Sequence, residues 1–409
     1  MKRALLFAFA VTVVKCSFEI YWNVPDHICP NNRVEDYGII VNEGHKFDGE
    51  KIVIFYEEQL GLVPFCAHEK SDKKCYSSTN ECRYPRNGGV PQNADLNAHL
   101  KKVVLDVELL IPNRDFDGIA VIDYECWRPI YEYNYGGRSV YQKYSIELIR
   151  EKYGINDTSA ERLARYEFNS AAKRFFIETL KLAKRLRPFA KWGYWEYPLC
   201  NYDAGYDGKT DCLASFRVYN EQLLDLMAIQ DVLFPRVYFS SNRRENHTNS
   251  KQTIARMKEA LRTNMLTFQA RKPIYAYVKF AYGEDEEFYS AEDICNSFHL
   301  PLLLGADGAI VWSGSKNMQK RCDSIAAYVQ DMFGPYSSAF LSMSRRCSVH
   351  HCNGHGLCTN LRYAEKLESC TFAIPTQVFC KCDDGYYGRY CQESIYYNGR
   401  EVQKGLYNA

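Results

Sequence analysis

The sequence predicts an α/β fold: a distorted (β/α) TIM-like barrel of seven to eight parallel strands, followed by a small disulfide-rich module. Three observations support it. Short apolar runs alternate with helix-patterned stretches through most of the 409 residues, no Gly-x-Gly-x-x-Gly follows any of those runs, and cysteines crowd together after residue 346. The alternation would also suit a doubly wound open sheet, but without the glycine fingerprint that rival loses its usual dinucleotide-binding argument. Hydrophobic residues make up 46% and charged residues 25%, a globular balance with room for one large domain and a small companion.

Strand-like runs lie at residues 38–41, 52–56, 118–123, 191–195, 232–238, 273–280 and 308–312, with 18–22 a possible eighth. Between them, Leu96, Leu100, Val103, Val104, Val107, Leu110 and Ile111 fall on one helical face. Residues 160–186 read as a long helix or a pair of helices, stopped by Pro188. Residues 214–229, 253–267, 291–304 and 321–332 repeat the rhythm.

The ends of the chain indicate its compartment. Met1-Lys2-Arg3 precedes an uncharged apolar run over residues 4–14, the pattern of a signal peptide, taken here as residues 1–17. The run is too short to span a bilayer. Of the 17 cysteines, Cys16 leaves with that segment and an even set of 16 remains, as suits an oxidising compartment. Asn156 and Asn246 open glycosylation sequons. The tail at 392–409 is polar, so no lipid anchor is expected at a hydrophobic C-terminus. A secreted, extracellular protein is expected, with a lysosomal one as the alternative.

Charge narrows the function. With 51 Lys and Arg against 50 Asp and Glu, the net charge is +1, which argues against both a nucleic-acid binder working through bulk charge and an acidic disordered chain. Aromatic residues reach 14%, with 32 Tyr, a supply of rings that serves flat hydroxylated ligands such as sugars as well as the core.

After Gly334-Pro335 the character changes, and the barrel is taken as 18–335. Residues 347–391 are turn-rich, and too few apolar residues remain there to order the segment without disulfides. The run Cys347, Cys352, Cys358, Cys380-Lys381-Cys382, Gly385-Tyr386-Tyr387-Gly388 and Cys391 resembles an EGF-like module. That resemblance implies the pairs Cys347–Cys358, Cys352–Cys380 and Cys382–Cys391 and leaves Cys370 over. A zinc site built from His350, His351, His355 and nearby thiols is the competing reading.

One segment carries chemistry. In residues 116–129, Phe-Asp-Gly-Ile-Ala-Val-Ile-Asp-Tyr-Glu-Cys-Trp-Arg-Pro, a buried-strand pattern ends in two carboxylates. Barrel enzymes work where strands end. Asp123 and Glu125 are two apart, so on extended chain they share a face. Held close, one of them keeps its proton to higher pH, as a general acid must. A solvated strand end with two unrelated charges is the bland alternative.

Asp-x-Glu followed by Trp127-Arg128-Pro129 resembles the signature of the hyaluronidase family of glycoside hydrolases. Further segments agree in order: Ile54-Phe55-Tyr56 with Gln59-Leu60-Gly61, Pro91-Gln92-Asn93-Ala94, Trp192-Gly193-Tyr194 with Tyr197-Pro198-x-Cys200, Pro235-x-Val237-Tyr238, Ala276-Tyr277-Val278 and Gly308-Ala309-Ile310-Val311-Trp312. The resemblance implies an endo-acting β-N-acetylhexosaminidase on hyaluronan or chondroitin, needing no cofactor or metal. It implies Glu125 as acid and base, with the substrate's own acetamido oxygen as nucleophile and Asp123 orienting that acetamide. It further implies that Tyr56, Tyr202, Tyr238 and Tyr277 line the groove, that Trp312 walls it, that Arg128 belongs with these substrate-binding residues and fixes the acidic pair, with a structural salt bridge as its alternative role, and that Cys29–Cys322 and Cys200–Cys212 tie the barrel.

The sequence also departs from that family pattern. Trp195 stands where a Tyr that contacts the acetamide is usual, Gly283 where many members have Asp, and Ser315 where a second groove Trp is expected. Cys66, Cys75, Cys82, Cys126 and Cys370 have no implied partners, although Cys126 is placed to bridge to a loop holding the first three. Such changes bear on substrate choice, and some invertebrate members prefer chondroitin. Arg138, Arg236, Arg243, Arg244 and Lys279 are candidates for a basic rim facing a polyanion. A non-hydrolytic glycosaminoglycan-binding or adhesion protein is the second reading; the intact acidic pair favours the enzyme. No nucleic acid and no membrane anchor are expected, and a partner for the EGF-like module is open.

Overall fold

The computed structural model describes residues 18–71, 75, 81–241, 248–267, 271–283, 287–367, 369–397 and 400–401. The expected signal peptide, Asn246, Arg243 and Arg244 lie outside the described residues. Chain order gives β1 (Glu19–Asn23), β2 (Ile40–Val41), β3 (Ile52–Tyr56), the short β4 (Phe65–Ala67) and β5 (Tyr84–Arg86), then β6 (Ile119–Asp123), β7 (Lys191–Tyr194), β8 (Arg236–Val237), β9 (Tyr275–Val278) and β10 (Gly308–Trp312). The principal helices are α1 (Leu96–Leu110), α2 (Ser139–Tyr153), α3 (Asp157–Leu186), α4 (Ala214–Glu221), α5 (Leu224–Ile229), α6 (Thr248–Leu266), α7 (Ala291–Leu303), α8 (Met318–Tyr328) and α9 (Gly334–His351).

Eight of these strands lie parallel in two ladders, β2-β1-β10-β9-β8 and β3-β6-β7. Parallel bridges Trp195↔Phe234 and Leu233↔Ile274 carry β7 on to β8 and β8 on to β9. The order from β3 to β10 never reverses, and the first strand pairs with the last. A doubly wound sheet, which turns back at a switch point, does not run this way. Between β2 and β3 the Asn42 side chain spans the seam: its Oδ1 accepts from the Lys51 and Ile52 amides at 2.9 and 3.0 Å, and its Nδ2 donates to the Ile52 carbonyl at 3.0 Å.

Strand period 2 divides the core into two layers. Tyr21, Ile52, Ile54, Ile119, Val121, Phe234, Tyr275, Tyr277 and Ile310 cluster on one side of the strands. The intervening residues, such as Val53, Phe55, Ala120, Ile122, Ala276 and Val311, pack against the helices on the other. Gly193 is needed in the first layer, because a Cβ there would sit 2.4 Å from the Val232 carbonyl oxygen.

The expected strands form with shifts of a few residues at their ends, and the possible eighth, at 18–22, is a paired strand over Glu19–Asn23. Helix boundaries moved further. Residues 214–229 break into α4 and α5 at Gln222 and Leu223. The stretch at 160–186 is one helix, α3, begun by an Asn156 cap that accepts from the Ser159 amide at 3.0 Å. Asn156 is exposed there, its Nδ2 at the sequon. Gly334-Pro335 is not a break in the helical chain: α8 runs through a π-helical turn (Val329–Phe333) into α9, whose first turn holds Pro335. The expected boundary at 335 therefore falls inside a continuous helical rod that carries Cys347 into the cysteine-rich segment.

That segment contains an antiparallel pair, β11 (Gly356–Thr359) and β12 (Phe379–Cys382), laced by Cys347–Cys358, Cys352–Cys380 and Cys382–Cys391. Cys370, left over in the three-pair scheme, joins Cys295 on α7 and staples the segment to the main body. Cys29–Cys322 and Cys200–Cys212 join as the family resemblance implied, and Cys66–Cys82 and Cys75–Cys126 complete eight bridges. The sulfurs beside His350, His351 and His355 are therefore in disulfides, and His355 stacks on Tyr386 at 3.8 Å.

Candidate active site

Alternation along the strands builds the site. The parity that turns Ile52 and Ile54 into the inner layer continues to Tyr56, that of Ile119 and Val121 to Asp123, and that of Ile310 to Trp312. Tyr56 and Asp123 are register partners. Each strand thus ends by presenting a polar or aromatic side chain where its apolar ones stop. Tyr56, Asp123, Glu125, Trp195, Arg236, Tyr238, Tyr277 and Trp312 line a cleft of about 600 Å³. A second cleft of about 550 Å³ shares Tyr56 and Glu125 with the first and continues along Glu57, Lys102, Arg138 and the Cys75–Cys126 bridge. Glu125 thus stands where the two lobes of one groove meet.

Aromatic side chains give the first lobe its shape. Tyr238 stacks on Trp312 at 6.1 Å, Trp195 lies 6.1 Å from Tyr238 and 6.5 Å from Tyr277, and the Trp312 indole donates to the Tyr56 hydroxyl at 3.2 Å. Lys279 rides over both Tyr238 and Trp312, at 4.9 and 5.2 Å, placing a cation on the wall.

The two carboxylates differ in setting. Asp123 is 6% exposed, while the Glu125 side chain is 47% exposed. Burial, then the charges of Glu125 and Glu57, hold the Asp123 carboxyl well above the ordinary carboxylate range, against a smaller pull from Arg128. The group with the raised pKa is thus Asp123, the deeper member of the pair. Its Oδ1 is buried with no hydrogen-bond partner in the protein, and so is the Tyr277 hydroxyl. Arg236 Nε makes no hydrogen bond either, but it lies 2.8 Å from the Glu196 carboxylate; buried polar atoms are nearly always paired, so the two in the cleft that face no partner mark the seat of a polar ligand.

Glu125 is held from behind. Arg128 Nη2 lies 3.6 Å and Arg138 Nη2 3.9 Å from its Oε1, and Arg138 Nε donates to its carbonyl at 2.9 Å. Glu57 Oε1 accepts from the backbone amides of Glu125 and Cys126, fixing the turn on which the carboxylate stands. Burial raises the pKa of Glu57.

Two expected groove residues lie elsewhere. Arg128 is 2% exposed and sits behind Glu125, outside both lobes, because the Cys-Trp-Arg turn swings it inward to Glu196. Tyr202 is 45% exposed and lies beside the first lobe, its ring under Arg236 at 4.5 Å. The sequence reading also missed two residues, Glu57 and Glu196. Both immediately follow strand runs, at 52–56 and 191–195, so the rule that singled out Asp123 and Glu125 at a strand end would have found them.

With this geometry in hand, comparison with known proteins is direct. The hyaluronidase family model matches residues 8–378. A chondroitin hydrolase of Caenorhabditis elegans is 34% identical over 94% of this chain and 81% of its own, and a hyaluronidase of Loxosceles intermedia is 31% identical over 92% and 94%. The crystal structure of bee venom hyaluronidase in complex with a hyaluronic acid tetramer superposes with a TM-score of 0.70 at 32% identity, covering 78% of this chain and 98% of that one. The chain belongs to the hyaluronidase family and is a glycoside hydrolase.

Proposed function

We propose that the protein is an endo-β-N-acetylhexosaminidase that hydrolyses β-1,4 bonds of hyaluronan, chondroitin or both, with retention and with the substrate's acetamide as nucleophile. The carrying observation is the pair of orphans in the cleft: Asp123 Oδ1 accepts when the carboxyl is ionised and the Tyr277 hydroxyl can donate. An amide offers one N–H and one C=O, so an acetamido group answers both. The relatives give the polymer class, since the nematode relative is named for chondroitin and the bee enzyme was solved with hyaluronan. The monotonic strand order favours a distorted barrel with its cleft at the carboxyl ends of the strands.

The steps follow from the setting of each group. Glu125, half exposed at the junction of the lobes, donates its proton to the glycosidic oxygen while the acetamido oxygen attacks the anomeric carbon. The leaving chain departs into one lobe and a cyclic oxazolinium ion remains in the other. Burial makes the Asp123 carboxylate costly, and the positive charge that develops on the acetamide nitrogen offsets that cost, so the ionised carboxylate favours the transition state over the bound substrate. Glu125, now a carboxylate with access to solvent, takes a proton from water, which opens the ring from the face the leaving group vacated. Two displacements retain configuration. Tyr56, Tyr238 and Trp312 supply hydroxyls and a flat apolar face for the sugar, and Lys279 and Arg236 offer charge to its anionic groups.

The eight disulfides and the exposed sequon at Asn156 support an oxidising, extracellular location. Among the described residues no helix is long and apolar enough to cross a membrane. The segment at 347–391 is read as an EGF-like module appended to the catalytic body. The test is incubation of purified protein with each polymer, followed by sizing of the products and NMR of the first-formed anomer. Even-numbered oligosaccharides with β-configured N-acetylhexosamine ends are expected; intact polymers, or the α-anomer first, would overturn the reading.

A further inference from the structure

Glu196 occupies a place that ordinary folding would not give a glutamate. It is 1% exposed, and its φ of +70° lies in the left-handed region that favours glycine. Its amide donates to the Phe234 carbonyl at 3.0 Å, which pins it just after the β7–β8 bridge. Backbone strain of this kind persists where the surroundings over-determine it, characteristically at functional sites.

Each oxygen of its carboxylate faces a guanidinium, that of Arg236 as an ion pair without hydrogen-bond geometry. One oxygen meets Arg128 Nη2, and the other lies 2.8 Å from Arg236 Nε. Arg128, 3% exposed at the side chain, reaches on to Glu125 Oε1 at 3.6 Å. Arg236 reaches the other way, over the rings of Tyr202 and Tyr238 at 4.5 and 5.8 Å, into the wall of the first lobe. The result is an alternating chain, Arg236–Glu196–Arg128–Glu125, that crosses the ends of three neighbouring strands, two members of it fully buried. Buried charges are stable when paired, so removal of the central anion takes from both guanidiniums the carboxylate that fixes their place and leaves Arg128 only its 3.6 Å contact with Glu125.

We propose that Glu196 is a positioning residue for the proton donor: its buried carboxylate holds Arg128 against Glu125 and Arg236 against the groove wall as one ionic unit. The inference rests on the reading of Glu125 as the acid. Glu125 is half exposed, and without Arg128 its side chain keeps only the longer 3.9 Å contact of Arg138 to hold it at the junction of the lobes. A donor displaced by about 1 Å can lose on the order of 100-fold in rate with little change in substrate binding.

Glu196→Gln keeps the volume and the backbone and removes the charge. The expected result is a fall in kcat of about 10-fold or more, with KM within about 3-fold of wild type. An unchanged kcat, or a lowered melting temperature with unchanged kcat per folded molecule, would overturn the proposal and leave Glu196 a strut. If the single variant does not fold, Glu196→Gln with Arg236→Met restores the charge balance and is compared with Arg236→Met alone; the same loss is expected, and equal kcat values would overturn the proposal. A wild-type protein that cuts neither polymer would refute the hydrolase reading separately. The crystal structure of the variant still decides this point: Arg128 should leave Glu125, and an Arg128 that stays within 4 Å of it contradicts the proposal.

Discussion

Two buried polar regions of this molecule differ in completeness. Under α1, His99 is fully buried: its Nδ1 accepts from the Leu62 amide at 2.8 Å and its Nε2 meets Thr179 Oγ1 at 2.8 Å. Beside it, Asp106 accepts from the Gly61 amide at 2.7 Å and pairs with Lys102. Gly61 has a φ of +75°, and a Cβ there would lie 2.3 Å from the His99 ring, so the contact requires glycine. In the cleft, Asp123 and Tyr277 are also buried and each keeps a polar atom with no protein partner. A closed network rigidifies; an open one is disfavoured until something enters to complete it. Substitutions should therefore lower stability in the first region and activity in the second.

The largest effect is expected at the junction of the lobes. Glu125→Gln cannot donate a proton and should lower kcat by at least about 100-fold with the melting temperature unchanged; near-normal turnover would remove Glu125 from its role. Asp123→Asn should fall nearly as far in rate yet gain stability. Because burial raises the folded carboxyl's pKa, the folded state holds its proton longer than the unfolded state, and ionisation opposes folding as pH rises through that pKa. The amide escapes this opposition, so thermal unfolding at pH 7 should show about 1 kcal/mol of added stability. A destabilised Asp123→Asn protein would show that the cleft is as closed as the His99 pocket.

His99→Ala should do the reverse. A cavity and an unpaired Leu62 amide together cost about 2–4 kcal/mol, with turnover per folded molecule intact. Burial holds the ring down to about 3, while the unfolded imidazole titrates near 6.5, so between these values the unfolded state binds a proton the folded one refuses. Wild type thus loses stability as pH falls through that window and the variant does not. The gap between them, followed by denaturant unfolding, should narrow on acidification; a gap constant from pH 7 to 4 would contradict the neutral, closed pocket. Tyr277→Phe removes one orphan, and kcat/KM should drop about 10-fold without loss of stability. Trp195→Tyr should have the smallest effect, a few-fold change in the ratio of chondroitin to hyaluronan cleavage; an unchanged ratio would clear this position of substrate choice.

How much of this the sequence reveals follows the same division. Local pattern placed the strands and set Asp123 and Glu125 at a strand end, because the period of a strand and its abrupt change from apolar to charged are readable within a few residues. The remainder depends on distance. Glu57 and Glu196 act through groups about seventy residues away, on the Glu125 amide and on Arg128. Cys126 is placed to reach the loop of Cys66, Cys75 and Cys82 and takes Cys75, but which of the three it takes, and the Cys295–Cys370 bridge, follow from no spacing rule. The motif implies that Arg128 fixes the acidic pair, and the turn that follows β6 shows that it reaches Glu125 from behind rather than from the groove. Gly334-Pro335 resembled a boundary because the same dipeptide that ends most helices can also begin one.

The central claim is that the sugar's own amide, seated between Asp123 and Tyr277, performs the displacement while Glu125 supplies the proton. It is tested most directly by digesting chondroitin and its N-deacetylated counterpart side by side and sizing the fragments. The native polymer should be reduced to short oligosaccharides while the deacetylated one stays at its starting length; cleavage of both at similar rates would contradict the account.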